Sequence, residues 1–355
     1  MEKWQNSLRR VLTDPGELAR RFGVPEAPLR RAAAVFPLRI SPHFLSLVRE
    51  PGDPLYLQCV PDARELAPAP ELLDDPLGEE ERSPAPCIVH RYHDHCLFLV
   101  SGECATFCRF CTRKRRFLCG GAPSPSRSEL AAGIAYIAAH PEIRDVLVSG
   151  GDPLLLEDGE LDAILTELRT IPHVEIIRIG TRVPCMLPER VTRKLCRMLK
   201  KHHPLYMNVH FNHPDELVEP ALEALGRLAD AGIVLGSQTV LLRNVNDDPK
   251  AIKKLMEKLL AARARPYYLL QMDLIKGAEH FRTRLATGVG IIDALRGHTS
   301  GLAVPHFILD LPGGGGKVEL VPEYLRRREG NTLIFRNHRG EEWTYPEIQV
   351  QGFKG

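Results

Sequence analysis

The chain has 355 residues, 44% hydrophobic and 26% charged, which excludes a collagenous, coiled-coil or wholly disordered protein. That length suits roughly two domains, or one large domain with extensions. Forty-seven Lys+Arg against 45 Asp+Glu give a formal charge of +2, too balanced for bulk-charge binding of nucleic acid or acidic membrane. The N-terminal stretch MEKWQNSLRR lacks the apolar core of a signal peptide, and no apolar run nears the ~18 residues of a membrane helix, so the cytoplasm is the expected location. Nine cysteines, all between Cys59 and Cys196, are an odd, bunched set. In a reducing compartment they point to metal or redox chemistry rather than a disulfide framework.

In chain order, Asp14-Pro15 opens a helix with Pro at its first position, and AAAVFPLRI and SPHFLSLV read as further short helical pieces. Between Pro61 and Pro86, Pro, Asp and Glu dominate, which predicts an extended, solvated connection. Beyond it, apolar runs of strand length alternate with helical stretches. Strands are expected near Cys96, Asp145, Val174, Leu205, Ile233, Pro266 and Val304, roughly 30 to 50 residues apart, which is the pace of βα units. Near-continuous apolar strands suit a parallel sheet covered by helices, so the expected class is α/β, a βα barrel or part of one, with its chemistry in the loops after the strands. TLIFRNHRGEEWTY predicts a hairpin turning at HRGE. The expected division is a helical extension and linker over residues 1–88, a barrel over 89–320 and a C-terminal extension over 321–355.

The sharpest motif is Cys104-x3-Cys108-x2-Cys111, directly after the Cys96 strand. Three thiolates in one short loop can ligate three corners of a 4Fe–4S cluster and leave the fourth iron open. An open iron can chelate S-adenosylmethionine and deliver an electron to its sulfonium, generating a 5′-deoxyadenosyl radical. The competing readings are a structural zinc site, which wants a fourth ligand at motif spacing, or unrelated core thiols. A second feature, Pro312-Gly313-Gly314-Gly315-Gly316-Lys317, follows the last strand. It is not a Walker A loop, since Leu311 and Val318 replace the required Gly and Ser/Thr. Its glycines permit close backbone approach to a ligand, and Lys317 can form a Schiff base with pyridoxal phosphate; a flexible surface loop is the plain alternative. Asp273 and Asp310 close two strands and would place two carboxylates at one barrel face, where they either hold an ammonium group or serve as caps and salt-bridge partners. Arg113 stands just past the cysteines, where a guanidinium could take a carboxylate; the plain reading of Arg109, Arg113, Lys114, Arg115 and Arg116 is a solvated face or an RNA patch. Gly150-Gly151-Asp152 follows the second strand, with bare backbone amides that suit the methionine end of a nucleoside cofactor.

Together, CATFCRFCTRKR, VSGGDPLL, HFNHP, LLQMDLIKGAEHFRT, LRGHTSGLAVPHF and LDLPGGGGK resemble the lysine 2,3-aminomutase family of pyridoxal-phosphate-dependent radical S-adenosylmethionine enzymes, from about Trp4 to the region of Tyr345. The resemblance implies a partial (β/α)6 radical-SAM barrel with an N-terminal helical extension and a short C-terminal β segment. It implies an isomerase that converts L-lysine to L-β-lysine by radical hydrogen abstraction and 1,2-amino migration, using a 4Fe–4S cluster, S-adenosylmethionine and pyridoxal phosphate. The residues implied are Cys104, Cys108 and Cys111 for the cluster, Lys317 for the Schiff base, and Arg91 and Tyr92 near pyridoxal phosphate. Gly150, Gly151, Asp152, His210 and Gln238 match the S-adenosylmethionine site, Arg113 the substrate carboxylate site, and Asp273 and Asp310 the pair that holds the side-chain ammonium.

Two departures from the family pattern stand out. Asp248 occupies a loop position where the family carries a zinc-ligating Cys, and no Cys follows Cys196, so this is a shorter, zinc-lacking form with no zinc site expected and with its homo-oligomeric arrangement open. His95 stands where a second Arg near the cofactor phosphate is expected. The partners implied are a small amino acid substrate and a flavodoxin- or ferredoxin-type reductant, with no nucleic acid or membrane. Alternatives are a β-lysine-forming enzyme for elongation factor P modification, a 2,3-aminomutase of another cationic amino acid such as arginine, or a catalytically retired iron–sulfur or RNA-binding module.

Overall fold

A computed structural model describes residues 2–67, 69–116 and 124–348. Cys119 and the last seven residues of the expected C-terminal extension lie outside the described residues. Five short helices open the chain: α1 (Lys3–Leu8), α2 (Pro15–Phe22), α3 (Glu26–Val35), α4 (Pro42–Leu47) and α5 (Pro54–Cys59). Helix α2 starts as its sequence dictates, with Asp14 accepting from the amides of Gly16 and Glu17 and Pro15 at the first position. It stops at Gly23, whose φ of 64° is the left-handed cap that glycine adopts without a Cβ penalty.

The main sheet follows. Its strands are β1 (Ile88–Tyr92), β2 (His95–Ser101), β3 (Asp145–Gly150), β4 (Ile176–Thr181), β5 (Leu205–His210), β6 (Val234–Leu241), β7 (Ala264–Gln271), β8 (His306–Leu311) and β9 (Gly316–Glu319), paired in that order. Strands β2 to β8 run parallel, while β1 and β9 pair antiparallel to β2 and β8 at the two edges. Helices α6 (Arg127–Ala139), α7 (Asp158–Thr170), the short α8 (Val183–Met186) with α9 (Arg193–Leu199), α10 (Glu219–Asp230), α11 (Pro249–Ala261) and α12 (Leu285–Leu295) make six crossovers. The result is a partial βα barrel, nearly closed, with side chains of β1 bonding to β8 and β9 across the remaining gap: Arg91 Nη2 donates to Asp310 Oδ1, and the Lys317 backbone amide donates to the Tyr92 hydroxyl.

The helices cover the sheet because their apolar residues share one stripe, as in α11, where Ile252, Leu255, Met256 and Leu259 are all buried. Each fully buried Leu or Ile of this kind contributes about 1.5–3 kcal/mol. One core runs from Trp4 of α1 through the barrel to Phe307 of β8, so the helical extension packs on the barrel rather than standing apart. A separate three-stranded antiparallel sheet, β10 (Leu325–Glu329), β11 (Thr332–Arg336) and β12 (Glu342–Pro346), contains the predicted hairpin and adds a strand before it.

The stretch between Pro61 and Pro86 is not the solvated connection its composition predicts. Leu72 and Glu79 are buried, the Leu73 amide donates to Leu274 O (2.7 Å), and the Gly313 amide donates to Pro76 O (3.0 Å). Apart from a 3-10 turn at Ala63–Leu66, proline and acidic residues keep the stretch out of regular secondary structure, but they do not prevent burial where cations and backbone partners meet them. The segment is a strap across the C-terminal mouth of the barrel.

Candidate active site

The cysteine loop leaves β2 at Ser101 and is pinned from outside. The Phe107 amide donates to Arg39 O (2.8 Å), the Arg109 amide to Gln58 O (2.9 Å) and Arg39 Nε to Cys104 O (2.7 Å). Burial and then the neighbouring thiol of the set push the Cys104 thiol far up and that of Cys111 to about 11. Thiolates here need counter-charge, and Arg182, just past β4, supplies it. Its Nη1 donates to Cys108 Sγ (2.8 Å), and its Nη2 to Gln58 Oε1 (2.6 Å) and Glu216 Oε1 (3.1 Å). Among the described residues no three His, Cys, Asp or Glu side chains gather as a single metal ion requires. Three thiols on one loop beside a buried guanidinium fit a cubane, in which each thiolate ligates a different iron.

Gly150 and Gly151 serve this loop directly. A Cβ on Gly150 would fall on Ser101 O and one on Gly151 on Glu103 O, while the Gly151 amide is itself spent on Ser101 O (2.6 Å). These glycines therefore provide close approach between two loops, and the bare amides expected from the sequence are not both free. Asp152 is buried and accepts from Thr181 Oγ1 (2.7 Å) and from the amides of Leu154, Arg182 and Val183, so it braces the β3 and β4 loop ends against each other.

The inward faces of the strands are polar. Arg178 of β4 pairs with Asp145 of β3 (2.8 Å), Asn208 of β5 keeps a buried, unpartnered Nδ2, and His210 at the end of β5 is the register partner of Gln238 within β6. His210 Nε2 lies 2.9 Å from Asn212 Oδ1, and burial holds its imidazole near pKa 3, hence neutral. Above them a cavity of about 470 Å³ brings together Arg91, Tyr92, His95, Arg113, Gln238, Asp310 and Lys317, with Arg178, Tyr268 and Glu79 also lining it.

The glycine run forms the turn between β8 and β9. Gly313, Gly314 and Gly316 take φ of 65°, 78° and 93°, which a side chain would resist, and the turn sets Asp310 opposite Lys317. Lys317 Nζ donates to Asp310 Oδ2 (2.9 Å), whose other oxygen accepts from Arg91 (2.5 Å). Asp273, two residues past β7, feels Asp310: burial first and that like charge second push its pKa to about 7. At the opposite side Arg113 is held by Glu79 of the strap (2.7 Å).

Comparisons with known proteins now decide the family. A family model described as Lysine-2,3-aminomutase matches residues 292–351, and one described as Radical SAM superfamily matches residues 98–256. The chain is 46% identical to an L-lysine 2,3-aminomutase of Methanococcus maripaludis over 99% of its length and 82% of the relative's. It is 48% identical to that of Clostridium subterminale over 87% of this chain and 75% of the other. The chain belongs to the lysine 2,3-aminomutase family. A glutamate 2,3-aminomutase of Clostridioides difficile is 41% identical over 96% of this chain and 81% of the other. Membership makes this a radical S-adenosylmethionine enzyme of the isomerase class, and it implies the cluster, S-adenosylmethionine and pyridoxal phosphate that the cysteine loop and the Lys317 cavity fit.

The basic run after the cysteines is not one solvated face. Arg109 is fully buried and bonds Glu65 through Nε (2.8 Å) and Nη2 (2.7 Å), and Lys114 is buried with its pKa pushed down to about 8 by desolvation. Asp248 caps α11 by accepting from the Ala251 amide. Glu79, Arg178 and Arg182 escaped the sequence reading. Arg178 and Arg182 carried a signal, since a cation within or just past an apolar barrel strand must face a polar partner. Glu79 carried none in a stretch rich in Glu.

Proposed function

We propose that the protein isomerises L-lysine to β-lysine. Cys104, Cys108 and Cys111 would hold the cluster and Gly150, Gly151, His210 and Gln238 would receive S-adenosylmethionine, with Asp152 bracing the loop. Lys317 would carry pyridoxal phosphate, flanked by Arg91 and Tyr92, with His95 and Arg178 lining the same cavity. When bound, these groups supply a 5′-deoxyadenosyl radical and a carrier for the migrating amine.

The chain's own part is placement. Arg113 takes the α-carboxylate and Asp273 with Asp310 the side-chain ammonium, which stretches the substrate across the mouth and sets its C2–C3 bond between the two ends. The strap excludes water from that space. The observation that carries the reading is the placement of Asp273, two residues past β7, with Asp310 of β8 at the barrel mouth; burial first and the charge of Asp310 second raise Asp273, and a bound cation would favour its ionised form. An acidic side chain would meet like charge there, which argues against the glutamate chemistry of the 41% relative.

A flavodoxin- or ferredoxin-type donor supplies the electron, in a reducing compartment such as the cytoplasm. Among the described residues eight of the nine cysteines are found, none in a disulfide, which accords with that setting, and no helix there is long and apolar enough to cross a membrane. The test is an anaerobic assay of reconstituted protein with labelled lysine, glutamate or arginine and chromatographic scoring of the β-isomers. Conversion of lysine alone is expected; conversion of glutamate would overturn the reading, and preference for arginine would move the substrate within the cationic class.

A further inference from the structure

We infer that Glu79 is a positioning residue for the carboxylate end of the substrate: it grips the Arg113 guanidinium along one edge and turns the other edge into the barrel mouth. The inference rests on the assignment of Arg113 to the α-carboxylate made above. Glu79 is only 4% exposed, in the middle of the strap. Its Oε1 accepts from Arg113 Nε (2.9 Å) and Nη2 (2.7 Å), and its Oε2 from Nε (3.1 Å). All three contacts use the Nε/Nη2 edge. The remaining nitrogen, Nη1, faces Ser149 Oγ at 3.5 Å, at the C-terminal end of β3. A guanidinium offers a second bidentate edge, Nη1/Nη2, and that edge is the one left toward the cavity.

Charge does not forbid a second carboxylate there. Arg115 also reaches Glu79 (3.3 Å), besides Asp75 (3.1 Å) and Glu80 (2.8 Å), and Arg116 is a third cation that favours the ionised Glu79, so three guanidiniums face three carboxylates and the cluster carries no excess negative charge. The strap that carries Glu79 also holds the site's other end. Its Pro76 carbonyl takes the Gly313 amide before Lys317, and Leu73 exchanges backbone bonds with Leu274 and Lys276, next to Asp273. One peptide segment thus references the carboxylate-binding edge to the ammonium-binding pair, and the distance between the two ends of a substrate is fixed before it arrives. Preorganisation of this kind is lost when a flexible Arg must find its rotamer at binding.

The experiment uses the reconstituted holoenzyme with Glu79→Gln, Glu79→Asp and Arg113→Lys. It measures iron and pyridoxal phosphate content, KM and kcat for lysine, and inhibition by 1,5-diaminopentane, which is lysine without its carboxylate. Glu79→Gln is expected to raise the lysine KM about tenfold with kcat within about twofold, to leave diaminopentane inhibition unchanged, and to be partly rescued by Glu79→Asp. A lysine KM that stays put, or that rises in step with the diaminopentane constant, overturns the inference and leaves Glu79 a brace of the strap. Arg113→Lys tests the underlying assignment separately: if it spares the lysine KM, Arg113 does not bind the carboxylate, whatever Glu79 does. Should Glu79→Gln fail to assemble, Glu79→Asp, which keeps the charge but withdraws it by one methylene, carries the same comparison.

Discussion

Lys317 and Asp310 are register partners across the β8–β9 ladder, and their side chains meet in the barrel mouth with Nζ 2.9 Å from Oδ2. The lysine ammonium sits against the very carboxylate that the proposed substrate ammonium would use. On the proposed reading, engaging the Lys317 amine in a Schiff base would release Asp310 Oδ2 for the substrate ammonium.

Lys317→Ala is expected to abolish isomerisation and the visible absorbance of bound pyridoxal phosphate, while slow reductive cleavage of S-adenosylmethionine persists. Spectra of the reconstituted variant together with 5′-deoxyadenosine release would check both halves. Full lysine turnover would remove Lys317 from the cofactor site.

The two aspartates should respond to amide substitution with opposite effects on stability. Asp310 is a nearly buried partner of Arg91, so Asp310→Asn leaves a buried guanidinium uncompensated and should cost about 3 kcal/mol. Asp273→Asn relieves a like-charge contact and should raise the melting temperature slightly, while lowering kcat/KM for lysine about a hundredfold. Thermal melts of both variants beside steady-state kinetics would separate the roles.

Because Asp273 titrates near 7, it must lose a proton before it can hold an ammonium, so kcat/KM for lysine should climb with pH through about 7 in the free enzyme. The Asp273→Asn profile should lack that limb. The stability sign is the reverse: a carboxyl raised in the folded state keeps a proton that the unfolded chain gives up near pH 4, so its contribution to stability falls as pH rises between about 4 and 7. Urea melts across that range, compared between wild type and Asp273→Asn, measure this directly.

Gly151→Ala should be severe without altering any cluster cysteine. The new methyl would meet the Glu103 carbonyl, a backbone atom with no rotamer to move, so a loss of about 2 kcal/mol or more is expected together with a displaced cysteine loop. Iron content per chain after reconstitution is the readout, and full incorporation at wild-type stability would contradict the packing argument.

Arg109→Met should destabilise by about 3–5 kcal/mol, because Glu65 would be left charged in the interior. Adding Glu65→Leu should recover part of that loss, which a double-mutant cycle in urea would show.

Much of the barrel was legible because parallel strands covered by helices must be apolar on their outer face, and the seven runs from Cys96 to Val304 carry that mark. Their inward alternation went unread. Asp145 and Ser149 in β3, Arg178 in β4, Asn208 and His210 in β5 and Gln238 in β6 recur with period two, the pattern of strands with one wet face. The edge strands β1 and β9 were missed for another reason. IVHRY and GKVE are short and half polar, and they become strands only because β2 and β8 offer them unpaired edges.

Local spacing singled out the cysteine loop, and the resemblance to the aminomutase family singled out the lysine after the glycine run and the strand-end aspartates as candidates, since a motif within a dozen residues needs no fold to be recognised. What touches what across the barrel was decided only by tertiary structure. Glu79 on Arg113, Arg182 on Cys108 and Glu65 on Arg109 join residues 34, 74 and 44 positions apart. Nothing in a single chain's composition says which of many arginines will find which of many carboxylates. Burial selects the pairs, because a charge removed from water is tolerated only beside its opposite, and which charges are removed from water is settled when the strap and helices close over the sheet.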